Sequence, residues 1–552
     1  MQVIERRTGL LFAVFLVLLA VGAGKAAWLG VVKANVLQRA AVGQQEADIT
    51  IPARRGSITD AHGIDLAVSQ PAMDIAATPR LVTDATKAAA QLAPVIGRDE
   101  NTLLRSFARR DTGFVYLGRA IPAEKAEKAK KLNIPGLEFI PRFSRTYPRS
   151  WMASQLLGSV GTDGDGLGGL EYAFNAKLKG ADGERRLVKD AMGEPIEMRD
   201  TQPVKPGHTV KLTLDAYLQD QAEEVLGEVG KKWRPVGATA IVMDPNSGEI
   251  LALANWPRVN ANAVEGSPET ARMNRAVGIN YEPGSTFKAF TVAAALEDGK
   301  VTPDTKFNIP PVLAVSDREI HDAEDHGWET YSTSEILKYS SNIGAVLVAQ
   351  KLGGSKPFDS WIHRFGFGKR TGVDLPGEEI GQVLPLKQYS GSTMGNLPIG
   401  QGISVTPMQM VTAYSAIANG GILRPPHLVA SVGGKPTKKP AGKRVISEAT
   451  ASSVRTMLEG VLQSKGTASG AAIEGYETAG KTGTAEKAIN GKYSEDKYVA
   501  SFVGFAPAKA PKLLAAVIVD EPKGEIYGGQ VAAPAWRNIV NFALGYLKIS
   551  PN

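Results

Sequence analysis

The chain has 552 residues, 63 Lys and Arg against 56 Asp and Glu for a formal charge of +7, and no cysteine, which excludes a disulfide framework and a thiolate zinc site. A hydrophobic fraction of 43% with 22% charged residues excludes a disordered chain, and the length accommodates roughly two to four domains of ordinary size. A charge of +7 on so long a chain falls short of the dense basic stripe of a nucleic-acid binder, so no nucleic-acid partner is expected. At the N-terminus Arg6 and Arg7 precede an apolar run from Thr8 to Gly24, followed by Lys25 and an apolar stretch containing Trp28 and ending at Val32. One membrane-spanning helix over residues 8–32 is expected, with Lys25 snorkelling and Trp28 at the interface. Residues 1–7 then form a cytoplasmic stub, and the rest of the chain is exported under the positive-inside rule. The competing reading is a cleaved signal peptide with Val21-Gly22-Ala23 at its cleavage site, but the apolar block exceeds the usual core of roughly 7 to 15 residues.

A polar, helix-like stretch is expected up to Glu46, followed by alternating Ala47 to Pro52, which reads as a strand. Residues 84–110 and 122–132 have helical composition, and the Lys/Glu-rich second segment is expected to be a solvated helix face. Glycine-rich Gly158 to Gly169 carries no following Lys-Ser/Thr and opens no GxGxxG helix, so a phosphate cradle is set aside. The Pro/Gly cluster at Pro203 to Gly207 marks the main boundary, with one domain over 33–205 and another over 206–552. In the second domain a strand at Ala238 to Met243, a turn at Asp244 to Gly248 and a strand at Glu249 to Ala254 read as a hairpin. Helical segments follow, and strands return from Tyr498 to Val519. The expected fold is therefore α+β and multidomain, with a sheet built from both ends of the second domain and helices between. His321 to His326 holds two imidazoles and three carboxylates, but matches no metal-binding spacing and is expected to be a solvated loop. The basic, Pro/Gly-rich segment Lys435 to Arg444 is expected to be a flexible loop; attraction to anionic polymers or headgroups is the alternative.

Three motifs carry the chemistry. Ser285-Thr286-Phe287-Lys288 follows the turn residues Pro283 and Gly284 at the start of an Ala-rich helix. Positions three apart share a helical face, so the Lys288 amine can approach the Ser285 hydroxyl. Serine needs a base to become a nucleophile, and a buried lysine of lowered pKa can be that base. Ser340-Ser341-Asn342 supplies a hydroxyl and an amide at a helix end. Lys481-Thr482-Gly483-Thr484 reads as a strand on which Lys481 and Gly483 share a face, with glycine letting a substrate backbone lie close and pair as an added strand. One S-x-x-K is weak evidence, but S-x-x-K, S-x-N and K-T-G in this order form the set of serine penicillin-recognising enzymes.

With these motifs the chain resembles the class B penicillin-binding proteins, most closely the division-type, FtsI-like DD-transpeptidases. The resemblance extends through Arg55-Gly56-Ser57-Ile58-Thr59-Asp60, Arg145-Thr146-Tyr147-Pro148, Gly169-Leu170-Glu171, Asp374 to Glu378 and Ile399 to Gly402. It implies an N-terminal anchor, an elongated mixed pedestal domain over 33–205 and a β-lactamase-like transpeptidase domain over 206–552, with a central antiparallel sheet flanked by helices. It also implies Ser285 as acylated nucleophile, Lys288 as its base, Ser340 as proton donor to the leaving D-alanine and Asn342 as a ligand of the donor peptide amide. Lys481 and Thr484 would hold the substrate carboxylate, Thr482 and Gly483 would also bind substrate, and the backbone N–H groups of Ser285 and Thr484 would form an oxyanion hole. No cofactor or metal is expected. Stem peptides, β-lactams, a SEDS-type glycosyltransferase and other divisome membrane proteins are the implied partners, in the cytoplasmic membrane. An elongation-type transpeptidase, a DD-carboxypeptidase and a β-lactam sensor stay open as alternatives. Ser341 departs from the β-lactamase pattern, which has Asp there.

Overall fold

The computed structural model describes residues 2–34, 46–189, 195–489 and 491–551. Helix α1, Gln2–Val31, runs through Lys25 without a break. An 18-residue window within its segment Arg6–Val31 has a mean hydropathy of 2.3 and buries nothing against the protein. At 1.5 Å per residue the segment's 26 residues reach about 39 Å, enough to cross a hydrocarbon core of about 30 Å. Most of the stretch expected to be helical up to Glu46 lies outside the described residues.

The chain divides into two compact units. The first comprises Met1–Arg54, Pro71–Phe143 and Gly180–Gly207. It contains strands β1 (Glu46–Ile51), β2 (Asp65–Ala77), β3 (Val115–Pro122), β4 (Leu137–Thr146), β5 (Gly183–Lys189) and β6 (Pro195–Gln202), the outer parts of β2 and β4 excepted. Its helices are α2 (Ala85–Ile96), α3 (Glu100–Phe107) and α4 (Ala123–Lys130). Asp84 and Asp99 begin α2 and α3 by accepting the Lys87 and Thr102 N–H groups, and Gly97 ends α2 in the left-handed region. Ile75, Leu92, Ile96, Leu103, Phe107 and Leu117 make the core. Helix α4 is solvated only on its charged face, where Lys128 pairs with Glu124; Ala126 and Ala129 are buried.

The second unit comprises Arg55–Gln70, Ser144–Lys179 and His208–Asn552. Residues 55–70 and 144–179, assigned to the pedestal in the sequence, therefore pack with the C-terminal part, and the single cut at 205/206 is not how contacts divide the chain. The bonds that hold them there run from the Ala216 N–H to Asp60 at 3.1 Å, from the Ala153 N–H to Glu223 at 2.6 Å and from the Tyr147 N–H to Asn262 at 2.9 Å, while a buried ion cluster joins the two segments to each other. Glu171, fully buried, receives Arg55 Nε on one carboxylate oxygen and Arg145 Nε on the other, each at 2.6 Å. Arg55 also donates to the carbonyls of Glu171 and Gly164, and Arg145 to that of Gly56. The glycine-rich segment wraps this cluster: a Cβ on Gly166 would lie 2.0 Å from the Glu171 carbonyl. Ile58–Thr59 pairs in parallel with β7, Val210–Leu212.

Helix α5, Ala216–Trp233, is capped by Asp215. Strands β8 (Gly237–Met243) and β9 (Ile250–Trp256) form the expected hairpin. They join β10 (Ala479–Ile489), β11 (Lys492–Ala506) and β12 (Leu513–Asp520) in an antiparallel sheet of order β9-β8-β12-β11-β10. Both ends of the domain thus build the sheet, and β10 is an edge. Strand β12 is apolar and buried almost throughout, as expected of a strand covered on both faces. The helix Gly528–Tyr546 covers the sheet, with Trp536 against Phe502 at 5.0 Å between ring centroids. The basic segment at 435–444, expected as a flexible loop, is held at both ends by short strands and by the Lys439–Glu249 ion pair.

Candidate active site

Pro283 and Gly284 (φ +53°) turn the chain into a short 3₁₀ segment, Gly284–Phe287, that continues as helix α6, Lys288–Glu297. The Thr286 hydroxyl bonds back to Pro283 O at 2.7 Å, and Tyr414 from the helix Pro407–Ala418 donates to Thr286 O at 2.7 Å. Every residue from Lys288 to Ala295 is buried. This apolar helix draws the Lys288 amine into the interior while Ser285, one 3₁₀ turn earlier, stays at the surface of a cleft of about 860 Å³.

Ser340 ends the helix Thr333–Tyr339 with φ +60°, a left-handed conformation unfavourable for a side chain. Ser341 then caps the helix Asn342–Gln350 by accepting the Gly344 N–H at 2.9 Å. The strained serine therefore stands at a helix junction, as expected of this motif. Lys481 lies on the edge strand β10, fully buried.

These residues meet. Lys288 Nζ donates to Ser340 O at 2.5 Å, to Asn342 Oδ1 at 2.6 Å and toward Ser340 Oγ at 3.3 Å. Lys481 Nζ reaches the same Ser340 Oγ at 2.9 Å. Ser340 is thus a hydroxyl between two buried amines. Burial lowers Lys288 to about 7, against a partial restoring effect of the Asp322 charge. Burial, then the neighbouring Lys288 charge, pushes Lys481 well below the usual lysine range. Among the described residues no hydrogen bond joins Lys288 to Ser285, so the direct approach expected from the three-residue spacing is replaced by bonds to Ser340 and Asn342.

Thr482 and Thr484 line the cleft with Ser285, Ser340 and Asn342, whereas Lys288, Lys481 and Gly483 lie behind its wall. Thr482 meets Thr467 at 2.8 Å and Thr484 accepts the Gly528 N–H at 3.1 Å. The reason for glycine at 483 differs from the one expected. A Cβ there would meet Ser501 Oγ at 2.4 Å, Pro283 O at 2.9 Å and Thr286 Cγ2 at 3.0 Å. Its absence lets β10 press against the nucleophile turn.

The segment His321 to His326 is a loop with His321, Ala323, Glu324 and Asp325 exposed, as expected, but Asp322 and His326 are half-buried and bonded. The Asp322 carboxylate accepts Ser341 Oγ at 2.7 Å, the Asn342 N–H, and the Ile343 N–H at 3.0 Å. His326 meets the same carboxylate at 3.1 Å, and Asn342 Nδ2 donates to His321 O at 2.8 Å. Asp322 thus places a carboxylate on the N-terminus of the Asn342–Gln350 helix. Sequence reasoning passed over it; the available signal was Ser341, which leaves that helix end without the carboxylate of the S-D-N pattern. Among the described residues no group of three or more His, Asp or Glu side chains is placed to hold a metal ion.

Comparison with known proteins agrees with this geometry. Residues 238–541 match the penicillin binding protein transpeptidase domain, and residues 50–212 the penicillin-binding protein dimerisation domain. The chain is 32% identical over 557 residues to peptidoglycan D,D-transpeptidase FtsI of Escherichia coli K12, covering all of this chain and 93% of that one. It is 38% identical over 517 residues to stage V sporulation protein D of Bacillus subtilis, covering 90% and 79%. The crystal structure of penicillin binding protein 3 from Mycobacterium tuberculosis complexed with aztreonam is similar at TM-score 0.72 and 29% identity, over 91% of this chain and 98% of that one. With both domains matched and the three motifs gathered in one cleft, the chain belongs to the class B penicillin-binding proteins, as an FtsI-like member.

Proposed function

We propose that the protein is a membrane-anchored peptidoglycan DD-transpeptidase, inhibited by β-lactams, that cross-links stem peptides at the septum of dividing cells. The observation that carries this reading is the pair of buried lysines converging on Ser340 beside an accessible Ser285. Lys288, lowered to about 7, is unprotonated in a substantial fraction at neutral pH and takes the Ser285 proton as the hydroxyl attacks the penultimate D-alanine carbonyl. The N–H groups of Ser285 and Thr484 receive the oxyanion. As the tetrahedral centre collapses, the peptide C–N bond breaks and Ser340, resupplied by the lysines, donates a proton to the departing D-alanine amine. An amine of a second stem then attacks the Ser285 ester, forming the cross-link and returning the proton to the serine. Asn342 Oδ1 keeps a lone pair for the donor amide. Lys481 and Thr484 hold the terminal carboxylate, whose charge favours protonated Lys481, and Thr482 lines the cleft beside them.

The edge position of β10 supports binding of the donor peptide as an added strand. Arg6 and Arg7 keep the N-terminus cytoplasmic and the catalytic unit outside. A SEDS-type glycosyltransferase and other divisome membrane proteins are the proposed partners, and co-purification from solubilised membranes checks them. The enzymatic reading is tested by incubating the full chain with a D-Ala-D-Ala-terminated stem peptide and an amine acceptor. D-alanine release matched by cross-linked product is expected; release with hydrolysed peptide alone would assign a carboxypeptidase instead. Depletion in cells is expected to give filaments, whereas rounded cells would assign wall elongation.

A further inference from the structure

Asp322 and His326 line the catalytic cleft together with Ser285, Ser340 and Asn342. Their side chains are largely shielded from solvent, at 10% and 15% exposure, although the residues between them are exposed. Asp322 Oδ2 accepts the Ser341 hydroxyl at 2.7 Å, and Oδ1 accepts the N–H groups of Asn342 and Ile343. His326 Nε2 lies 3.1 Å from Oδ2 of the same carboxylate, and its Nδ1 lies 2.6 Å from the Gly327 carbonyl oxygen.

A neutral imidazole carries one N–H and one bare lone pair. Here both ring nitrogens face oxygens that accept, a carbonyl and a carboxylate, so the imidazolium, which donates from both, satisfies the two bonds at once. The imidazole is by nature the stronger base of the pair, and the shared proton rests on it. The Gly327 carbonyl, the Asp322 carboxylate and the Glu329 charge raise His326 above the ordinary histidine value, against the cost of burial. The imidazolium therefore persists below that raised value and is lost as pH climbs through it. Glu329 and Tyr331, from the strand Glu329–Ser332, are the other titratable groups facing the pair, and Lys481 faces Lys288 from β10.

Asp322 connects this pair to the nucleophile's base. Lys288 Nζ donates to Asn342 Oδ1 at 2.6 Å, and the Asn342 N–H is bound by Asp322. The Asp322 charge draws the Lys288 amine toward its protonated form, which cannot act as a base. A cation on the other oxygen of that carboxylate offsets the pull. We propose that His326 is a positioning residue for Ser285 acylation: as an imidazolium it clamps Asp322 against the Ser340–Asn342 turn and offsets the carboxylate's charge, leaving Lys288 free to take the serine proton. Its part in acylation rests on the function proposed above; its charge and its bond to Asp322 do not.

The test measures acylation of the full chain in nanodiscs by a slow β-lactam across pH, in wild type, His326→Gln, His326→Lys and the double variant His326→Gln/Asp322→Asn. Glutamine keeps a donor for Asp322 but no charge, so the midpoint of its pH–rate curve is expected about half to one pH unit above that of wild type. Lysine keeps the charge and the wild-type midpoint, and the double variant, with both charges gone, returns the midpoint to the wild-type value or below it. A loss of rate in His326→Gln that is uniform across pH, with no shift of midpoint, would reduce His326 to packing and overturn the proposal. NMR of the chain carrying ¹³C-labelled histidine reads the charge without catalysis, the His326 signal being identified by its loss in His326→Gln. Titration above the ordinary histidine value is expected, moving down in Asp322→Asn; titration at or below that value in wild type would overturn the ion pair. Failure of wild type to be acylated at any pH, with the ring titrating as expected, would overturn the function and His326's part in it while the ion pair stood.

Discussion

Lys288 and Lys481 show how much a single residue's surroundings decide. Both are fully buried, and each amine would ordinarily hold its proton far above neutral pH. Desolvation disfavours the charged form, so Lys288 falls to about 7. The sign is direct: the free amine is the base, and its fraction grows as pH rises through that value. Acylation of wild type by a slow β-lactam is therefore expected to rise about tenfold per pH unit below about 7 and level off above it. Lys288→Arg, which cannot deprotonate, is expected to lose the rise and about 10²- to 10⁴-fold in rate; stopped-flow or gel-based acylation rates across pH check both. Ser285, Lys288, Ser340, Asn342 and Lys481 were legible because each sits in a short local motif. Asp322 was not, because its bonds to Ser341, Asn342 and Ile343 span about twenty residues of loop and exist only after tertiary folding.

At the level of elements, the sheet was readable from alternation and turn chemistry, and its edge strand brings Lys481 to the Ser340 junction. What the pattern did not reveal was the packing against that strand. Gly483 was read as room for substrate, whereas its missing Cβ makes room for the nucleophile turn and for Ser501. Gly483→Ala is expected to destabilise the catalytic unit by about 1–3 kcal/mol, the range for overpacking a close contact, and to slow acylation by at least about tenfold. Thermal denaturation alongside penicillin-labelling rates checks this, and unchanged values for both would mean the contact with Pro283 relaxes freely. The loop at 321–326 teaches the same lesson: its composition is that of a solvated segment, but a carboxylate facing two helix N–H groups and a serine hydroxyl is structural.

Across the whole molecule, the membrane helix is the most local feature and was the easiest to read. The domain boundary was the hardest, because the chain crosses between units several times. Arg55, Arg145 and Glu171 lie in three separated segments, and only folding brings them into one buried cluster. Such a cluster has lost the solvation of its charges and holds together through mutual pairing. It ties the segments at 55–70 and 144–179 to each other, within the unit that also carries Ser285. The absence of cysteine fits a serine mechanism, since no thiol competes for the acylating ligand. The measurement that tests the account most directly is covalent labelling of the full-length protein in membranes by a fluorescent penicillin, comparing wild type with Ser285→Ala. Wild type is expected to label and the variant to show none; labelling that persists in Ser285→Ala would contradict the assignment of the nucleophile and the mechanism built on it.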